Sequence, residues 1–214
     1  SKAYETLKPY LNSRTYINTY SKQIHAYVIA TCVSDEKDKN KKENMVKEGI
    51  QIAEEITKQK PYYTRTWIYL GIFKTYMLEK DPGNRELQKE VNYAFEKATT
   101  LSFKRNDIFY EWGRAYLVIN DCQKSLEIAN TCLSKNSNSG ECWWLSAISN
   151  LCLGKFELYK EQENIAFTNN FYAESSSKLK QTLKFLLKLI ENNGPNKIYY
   201  EELAKTYNLL TVRE

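Results

Sequence analysis

Cysteine side chains can bind metals, form disulfides and take part in redox reactions, and five cysteines occur in 214 residues. Zinc sites and dithiol redox motifs use cysteines separated by two to four residues, and no such pair is present. The odd number and the lack of a dense framework argue against a disulfide scaffold. Because cysteine is a small side chain that is readily buried, we expect all five to be core residues, with no metal or other cofactor bound. The five are Cys32, Cys122, Cys132, Cys142 and Cys152, the last four at intervals of ten residues.

The other candidates for catalysis are one histidine and the carboxylates. His25 lies between Ile24 and Ala26, with no cysteine or second histidine nearby, and we expect it to be structural. Adjacent glutamates, such as those at 54–55 and 201–202, point apart on a helix and are typical of a solvated face. Phosphate-binding loops, nucleophile elbows and H-E-x-x-H motifs are absent from the sequence. The sequence therefore predicts that this chain is not an enzyme.

Composition and charge narrow the class of protein further. Apolar residues make up 42% of the chain and charged residues 27%, which is typical of a globular protein. The net charge of +5 comes from 31 basic and 26 acidic residues. This is a mild excess, in which lysine outnumbers arginine, and it does not predict a nucleic-acid partner. No apolar run approaches the ~18 residues of a membrane span, so we expect no direct membrane insertion of this segment. Its location stays open between the cytoplasm and a membrane-attached soluble domain.

The sequence predicts that these candidate residues lie on helices or in the short loops between them. Apolar residues recur at i, i+3, i+4 and i+7 along the chain, and only seven glycines and four prolines interrupt it. Breakers such as the charged loop at 34–42 and the turn "DPGN" at 81–84 separate the helical stretches. We predict about ten helices, at about 13–32, 43–60, 63–78, 85–101, 106–119, 121–134, 139–153, 155–169, 175–192 and 197–210.

A glycine in the middle of an apolar helix indicates internal repetition. Gly113 lies within "FYEWGRAYLVIND", at 109–121, where it costs roughly 1 kcal/mol relative to alanine. Aligned on the preceding aromatic residue, it matches Gly71 in "WIYLGIFK" and Ala147 in a third copy. Each copy is followed by a second helix with small and apolar residues at similar positions.

These residues resemble the tetratricopeptide repeat, which has a W-x2-L-G-x2-Y first helix and an A-x3-F-x2-A second helix. The resemblance implies an all-α fold, a right-handed α-solenoid of stacked antiparallel helix hairpins, in which the small residue lets the two helices of a hairpin cross closely. We expect one domain over 1–214, of which one copy carries about eight extra residues around "DPGNRELQ". The expected repeats are at about 13–60, 63–103, 106–137 and 140–171, followed by degenerate final helices at 174–211.

The resemblance also implies a function, the binding of a protein or peptide partner in the concave groove lined by the first helices. The lysine and asparagine set with which some members of the family clamp a carboxylate is missing, because Asp107 and Glu141 stand at those places. An acidic C-terminal tail is therefore a disfavoured ligand. Carried over position by position, the groove residues are Arg65, Ile68, Ile72, Tyr76, Asp107, Tyr110, Arg114, Glu141, Trp144 and Ile148.

A narrower resemblance covers residues 10–170. The order of the helices, "GIQIAEEITKQKPYYTRTWIYLG" and the "LSFKR" junction are similar to the soluble tetratricopeptide domain of bacterial O-antigen ligase or polymerase-like membrane proteins. This resemblance implies an alternative function as a regulatory domain that works with lipid-linked glycan machinery. Direct glycan binding by exposed tyrosines and tryptophans is a further alternative.

Overall fold

The structure, a computed structural model, describes residues 19–34 and 36–169, together with Thr6. This part of the chain is all-helical and contains no strand, which confirms the all-α class that the sequence predicts. None of its helices is both long enough and apolar enough to cross a membrane. The final helices expected at 174–211 lie outside the described residues. The helices are α1 (Thr19–Cys32), α2 (Lys39–Gln59), α3 (Thr64–Leu78), α4 (Arg85–Leu101), α5 (Asn106–Val118), α6 (Cys122–Lys135), α7 (Gly140–Cys152) and α8 (Phe156–Thr168).

The predicted bounds of α3 to α8 agree with the structure to within one residue at each end. Local capping residues mark the starts of α4 and α7. The Asn84 side chain accepts a hydrogen bond from the backbone N–H of Leu87 at 3.0 Å, and Ser139 accepts one from Cys142 at 3.3 Å. Such side chains satisfy N–H groups that the first helical turn leaves without a partner.

The charged loop predicted at 34–42 is shorter in the structure, because α2 begins at Lys39. Asp38 caps this helix and accepts hydrogen bonds from the backbone N–H groups of Asn40 and Lys41. The lysines that follow therefore form a first helical turn. A run of charges predicts a loop, but one well-placed aspartate is sufficient to start a helix there.

The chain divides into two compact units, Ser1–Ile128 and Ala129–Glu214. In the first unit each helix packs against the next, and α3 also contacts both α1 and α5. One apolar core runs through these five helices, with Ile29, Phe73 and Phe95 fully buried. In the second unit α7 packs against α8, where the rings of Trp144 and Phe167 lie 5.7 Å apart.

The close helix crossing predicted at Gly71 is present. A Cβ added to Gly71 would lie 2.6 Å from Cζ of Phe95 on α4, a distance that atoms of two side chains do not adopt. The sequence did not single out Gly49 on α2, yet a Cβ there would lie 2.6 Å from Phe73 on α3. In both places glycine lets an aromatic ring pack directly on the backbone of the neighbouring helix, and this contact offsets its poor helix propensity.

The backbone conformation after α5 is repeated after α7. Asn120 and Gly154 follow these two helices in left-handed conformations, with φ of 63° and 73°. The next residue in each case donates a hydrogen bond at 2.9 Å, Asp121 to Tyr116 and Lys155 to Asn150. Helices α6 and α8 then begin at equivalent positions, 122 and 156.

A second recurring contact involves the tryptophan near the start of two first helices. Trp67 Nε1 donates to the carbonyl oxygen of Pro61 at 2.7 Å, and Trp143 Nε1 donates to that of Ser137 at 2.7 Å. Each indole therefore fixes the turn that precedes its own helix. The described hairpins are thus repeat-like in their hydrogen bonds as well as in their sequence.

Four of the five cysteines are in disulfides, and the expectation that all five are core thiols was wrong. Cys132 is bonded to Cys142, with Cα atoms 6.0 Å apart, and Cys122 and Cys152 are also disulfide-bonded. Cys32 remains a half-buried thiol. A separation of ten residues became a close pair only because the chain reverses at 136–139, between α6 and α7. The helices predicted at 121–134 and 139–153 imply this reversal, but distance along the sequence does not show that the two cysteines face each other across it.

Candidate partner-binding surface

The ten residues predicted to line the groove differ widely in exposure. Glu141, Trp144 and Ile148 belong to the second unit and the other seven to the first. Aromatic and aliphatic side chains are mostly buried in the core, whereas charged side chains reach solvent at least partly. In full, Arg65 is exposed, Ile72, Asp107, Arg114 and Glu141 are half-buried, and Ile68, Tyr76, Tyr110, Trp144 and Ile148 are buried.

The structure brings Tyr76 of α3 and Arg114 of α5 together. The guanidinium carbon of Arg114 lies 5.4 Å from the centroid of the Tyr76 ring, and the Lys42 ammonium lies 4.6 Å from the same centroid. Cations over an aromatic face are attracted by its quadrupole. Arg114 also pairs with Glu111, one turn earlier on α5, at 3.0 Å. Two of the predicted groove residues thus form one cluster, with Lys42 and Glu111 as members that the sequence did not indicate.

The charged and polar groups of this cluster alter one another's pKa. Burial raises the pKa of the Tyr76 hydroxyl above its ordinary value, and the positive charge of Arg114 opposes that rise. Burial also opposes the charge of Arg114, but Glu111 and the tyrosines at 76 and 110 more than offset it, so the pKa of Arg114 lies above its ordinary value. The guanidinium therefore stays charged although only 14% of its side chain is exposed.

One atom of this cluster points to a ligand. Arg114 Nη2 is buried and makes no hydrogen bond of good geometry in the part of the chain that the structure describes, although the guanidinium lies close enough to the Tyr76 hydroxyl to oppose the rise of that group's pKa. A buried donor without an acceptor costs roughly 1–3 kcal/mol, so such groups are rare unless something binds them. Nη2 can donate a hydrogen bond to a carbonyl or carboxylate oxygen of a partner.

A second polar cluster lies where α3 and α5 begin. Arg105 forms a bidentate ion pair with Asp107, the first of the predicted groove residues on α5. Their charges and that of Arg65 act on the hydroxyl of Tyr69, whose pKa is raised above its ordinary value mainly by burial. The ring of Tyr69 lies 6.3 Å from that of Tyr27 on α1. Sequence reasoning missed Tyr27 and Tyr69 because they fall outside the positions carried over from the repeat family.

A cleft of about 550 Å³ opens above α3, between α2 and α4. At its floor the nearly buried Lys74 ammonium bridges Glu54 at 3.1 Å and Glu90 at 2.8 Å. Burial alone would lower the pKa of Lys74, but the bonds to the two glutamates raise it above its ordinary value. Trp67 and Tyr93 form one wall, with ring centroids 5.7 Å apart. A lysine in a helical run gave no signal of this bridge, which needs three helices to form.

His25 lies in the core of the first unit with 1% of its surface exposed. Its Nε2 is 3.7 Å from a carboxylate oxygen of Glu48. Burial lowers the pKa of His25 below its ordinary value of 6.5, and the charge of Glu48 opposes that effect. Among the described residues no group of three or more histidine, cysteine, aspartate or glutamate side chains is arranged to hold a metal ion.

Comparisons with protein families and with curated proteins assign no function to this site. No protein-family model matches the chain, and no curated protein matches it at a significant level.

Proposed function

We propose that this chain is a helical-repeat module that binds a protein or peptide partner on the face formed by its first helices, with Arg114 as the anchoring side chain. The observation that carries this proposal is the buried Nη2 of Arg114, which makes no hydrogen bond of good geometry among the described residues and belongs to the cluster with Tyr76. Arginine and tyrosine are among the side chains that most often dominate the energy of protein interfaces.

The proposed architecture is a right-handed solenoid of tetratricopeptide-like hairpins. It is supported by the contacts of α3 with both α1 and α5, since stacked hairpins place successive first helices side by side. The left-handed residues at 120 and 154, which occupy equivalent places after α5 and α7, support it further. A partner laid across such a face would touch several first helices at once.

The chemistry of the partner follows from the cluster. The half-buried Arg114 is held by Tyr76 and Glu111, so little side-chain entropy is lost when an acceptor arrives. A backbone carbonyl oxygen of an extended peptide is a suitable acceptor because it adds no second charge near Glu111. An apolar side chain of the same peptide would contact the half-buried Ile72.

The test compares wild type with Arg114→Met and with Arg114→Lys as immobilised baits for extracts of the native host. Met keeps the aliphatic stem, and Lys keeps the charge but loses the planar fork. Arg85→Met, at an exposed position in the first turn of α4, is the matched control. We expect a partner that wild type and Arg85→Met retain and that both Arg114 variants lose.

Thermal melts of the same proteins separate binding from folding. A folded Arg114→Lys that retains every partner would contradict the proposal. The double variant Tyr110→Ala with Arg114→Ala extends the test: if it unfolds whereas Arg114→Lys does not, Tyr110, which is 7% exposed, has a structural role.

A second candidate is a regulatory domain of O-antigen ligase or polymerase-like machinery that handles lipid-linked glycans. One observation favours it, the disulfide between Cys132 and Cys142, because disulfides persist in oxidising compartments such as the bacterial periplasm. The reading frame upstream of this chain tests it. Ten or more apolar segments there would support this candidate, and their absence would contradict it.

A further inference from the structure

Two loops of the first unit lie at the same end of its hairpins. The loop at 60–63 joins α2 to α3, and the loop at 102–105 joins α4 to α5. Successive helices joined by short loops run antiparallel, so both loops lie at the same end of the hairpins. The charges of Arg65 and Arg105 both act on the hydroxyl of Tyr69, which places the start of α5 beside the start of α3. We call residues 58–65 and 97–105 the basic end.

The basic end carries an excess of positive charge. Its two segments contain six basic residues, namely Lys58, Lys60, Arg65, Lys97, Lys104 and Arg105. Arg105 is neutralised by Asp107, just beyond the second segment, so the excess is five positive charges. The corresponding segments at the other end of the hairpins, 31–40 and 77–86, contain six acidic and four basic residues, and we call them the acidic end. Although the net charge of the whole chain is small, the two ends of the hairpins therefore carry opposite net charges.

Apolar side chains stand among these charges. Tyr62 is 66% exposed, Phe103 56%, Leu101 40% and Tyr63 37%. The Lys60 ammonium lies 5.3 Å from the centroid of the Tyr63 ring, and that of Lys104 lies 5.8 Å from the Phe103 ring. Exposed rings flanked by lysines are thus found on both loops.

We propose that the basic end binds peripherally to the surface of an anionic lipid bilayer. Aromatic rings are favoured at the level of the lipid headgroups, and lysines can keep their ammonium groups among the phosphates while their stems lie against apolar material. Each lysine or arginine near such a surface strengthens binding about fivefold. The acidic end would face away from the bilayer, so the charge separation also orients the unit. This proposal is independent of the partner-binding cluster at Arg114.

An acidic polypeptide is the main competing ligand for such a surface. It would use the positive charges, but it gives no reason for four apolar side chains to stand exposed on the same two segments. A bilayer uses both features, because its headgroup region offers anionic phosphates next to apolar chains. The rings therefore distinguish the two ligands experimentally.

The test is sedimentation of the full chain with vesicles of phosphatidylcholine that contain a minor share of phosphatidylserine, compared with vesicles of pure phosphatidylcholine. We expect binding to the anionic vesicles that weakens as salt is raised, and little binding to the neutral ones. Lys60→Glu with Lys104→Glu should lower the partition coefficient by more than about tenfold. Tyr62→Ser with Phe103→Ser should also lower it severalfold, although the charge is unchanged.

Matched controls come from elsewhere on the first unit. Lys37→Glu with Lys39→Glu makes the same change of net charge near the acidic end, where both lysines are exposed, and should change the partition coefficient much less. Met77→Ser removes an apolar side chain that is 38% exposed in the last turn of α3, at the other end of the hairpins, and should leave binding unchanged. Circular dichroism and melts confirm that each variant is folded.

Three results would overturn the proposal. The first is no binding to anionic vesicles, or equal binding to neutral ones. The second is a loss with the control pair as large as that with Lys60→Glu and Lys104→Glu, since net charge alone would then explain the effect. The third is binding to polyglutamate as tight as to the vesicles and insensitive to loss of the rings, which would assign the basic end to an acidic polypeptide.

Discussion

The ring of Phe95 lies so close to the backbone of Gly71 that a Cβ at position 71 would be 2.6 Å from its Cζ atom. Phe95 is fully buried in the core of the first unit, so the ring has little room to move. The spacing of α3 and α4 at this crossing therefore depends on the absence of a side chain.

Gly71→Ala is expected to destabilise the protein. Alanine would gain roughly 1 kcal/mol from helix propensity, but overpacking a well-filled core costs roughly 1–3 kcal/mol, and here the ring cannot withdraw. Thermal or urea unfolding measures the balance. The control is Gly83→Ala, where the nearest atom to the added Cβ is 4.0 Å away, and its stability should be unchanged or slightly higher. A Gly71→Ala protein as stable as this control would contradict the crossing. Gly113 is buried on α5, so the larger side chain of Gly113→Leu should also be destabilising.

Trp67→Phe and Trp143→Phe are expected to have similar consequences. Each removes an indole N–H that donates at 2.7 Å to a carbonyl oxygen six residues earlier. The loss of one such bond costs about 1 kcal/mol. Chemical denaturation gives the two values, and Tyr93→Phe at an exposed ring serves as a control. A measurable loss for Trp67 with none for Trp143 would argue against equivalent roles in the two hairpins.

Reduction is expected to lower the melting temperature. The disulfide between Cys132 and Cys142 restricts the unfolded chain, and such bonds typically contribute about 2–4 kcal/mol. The double variant Cys132→Ser with Cys142→Ser should melt lower than wild type, whereas Cys32→Ser should have a small effect.

Thiol titration provides an independent check of the same bonds. In denaturant without reductant the chain should show one thiol, that of Cys32. Since the sequence contains five cysteines, full reduction should expose five. Five thiols before reduction would restore the interpretation of the cysteines as plain core residues.

Acid is expected to destabilise the first unit through His25. Burial lowers its pKa in the folded protein below 6.5, so the unfolded chain binds a proton at a higher pH than the folded one. The stability that this neutral histidine contributes is therefore fully present above pH 6.5 and is lost as the pH falls toward the folded pKa. Urea unfolding from mildly alkaline to mildly acidic pH should show a steeper decline for wild type than for His25→Leu. The histidine is the only one in the chain, so NMR can follow it directly, and a folded pKa above 6.5 would refute the prediction.

The sequence by itself determined the helices from α3 to α8. Their periodicity, the turn at 81–84 and capping residues such as Asn84 act within a few residues of one another, so no distant contact was needed to predict them. The recurrence of small residues at positions 71, 113 and 147 also indicated repetition. The all-α class followed from these local features.

Tertiary structure decided which residues meet. The bond between Cys132 and Cys142 exists because α6 and α7 reverse direction, and the bridge of Lys74 to Glu54 and Glu90 requires three helices. Arg114 was among the residues expected in the groove, yet its stacking on Tyr76 and its buried Nη2 depend on how α5 packs beside α3. The physical reason is that helix formation is governed by neighbours within about four positions, whereas burial, charge pairing and disulfide formation depend on which side chains the packing of different helices brings together.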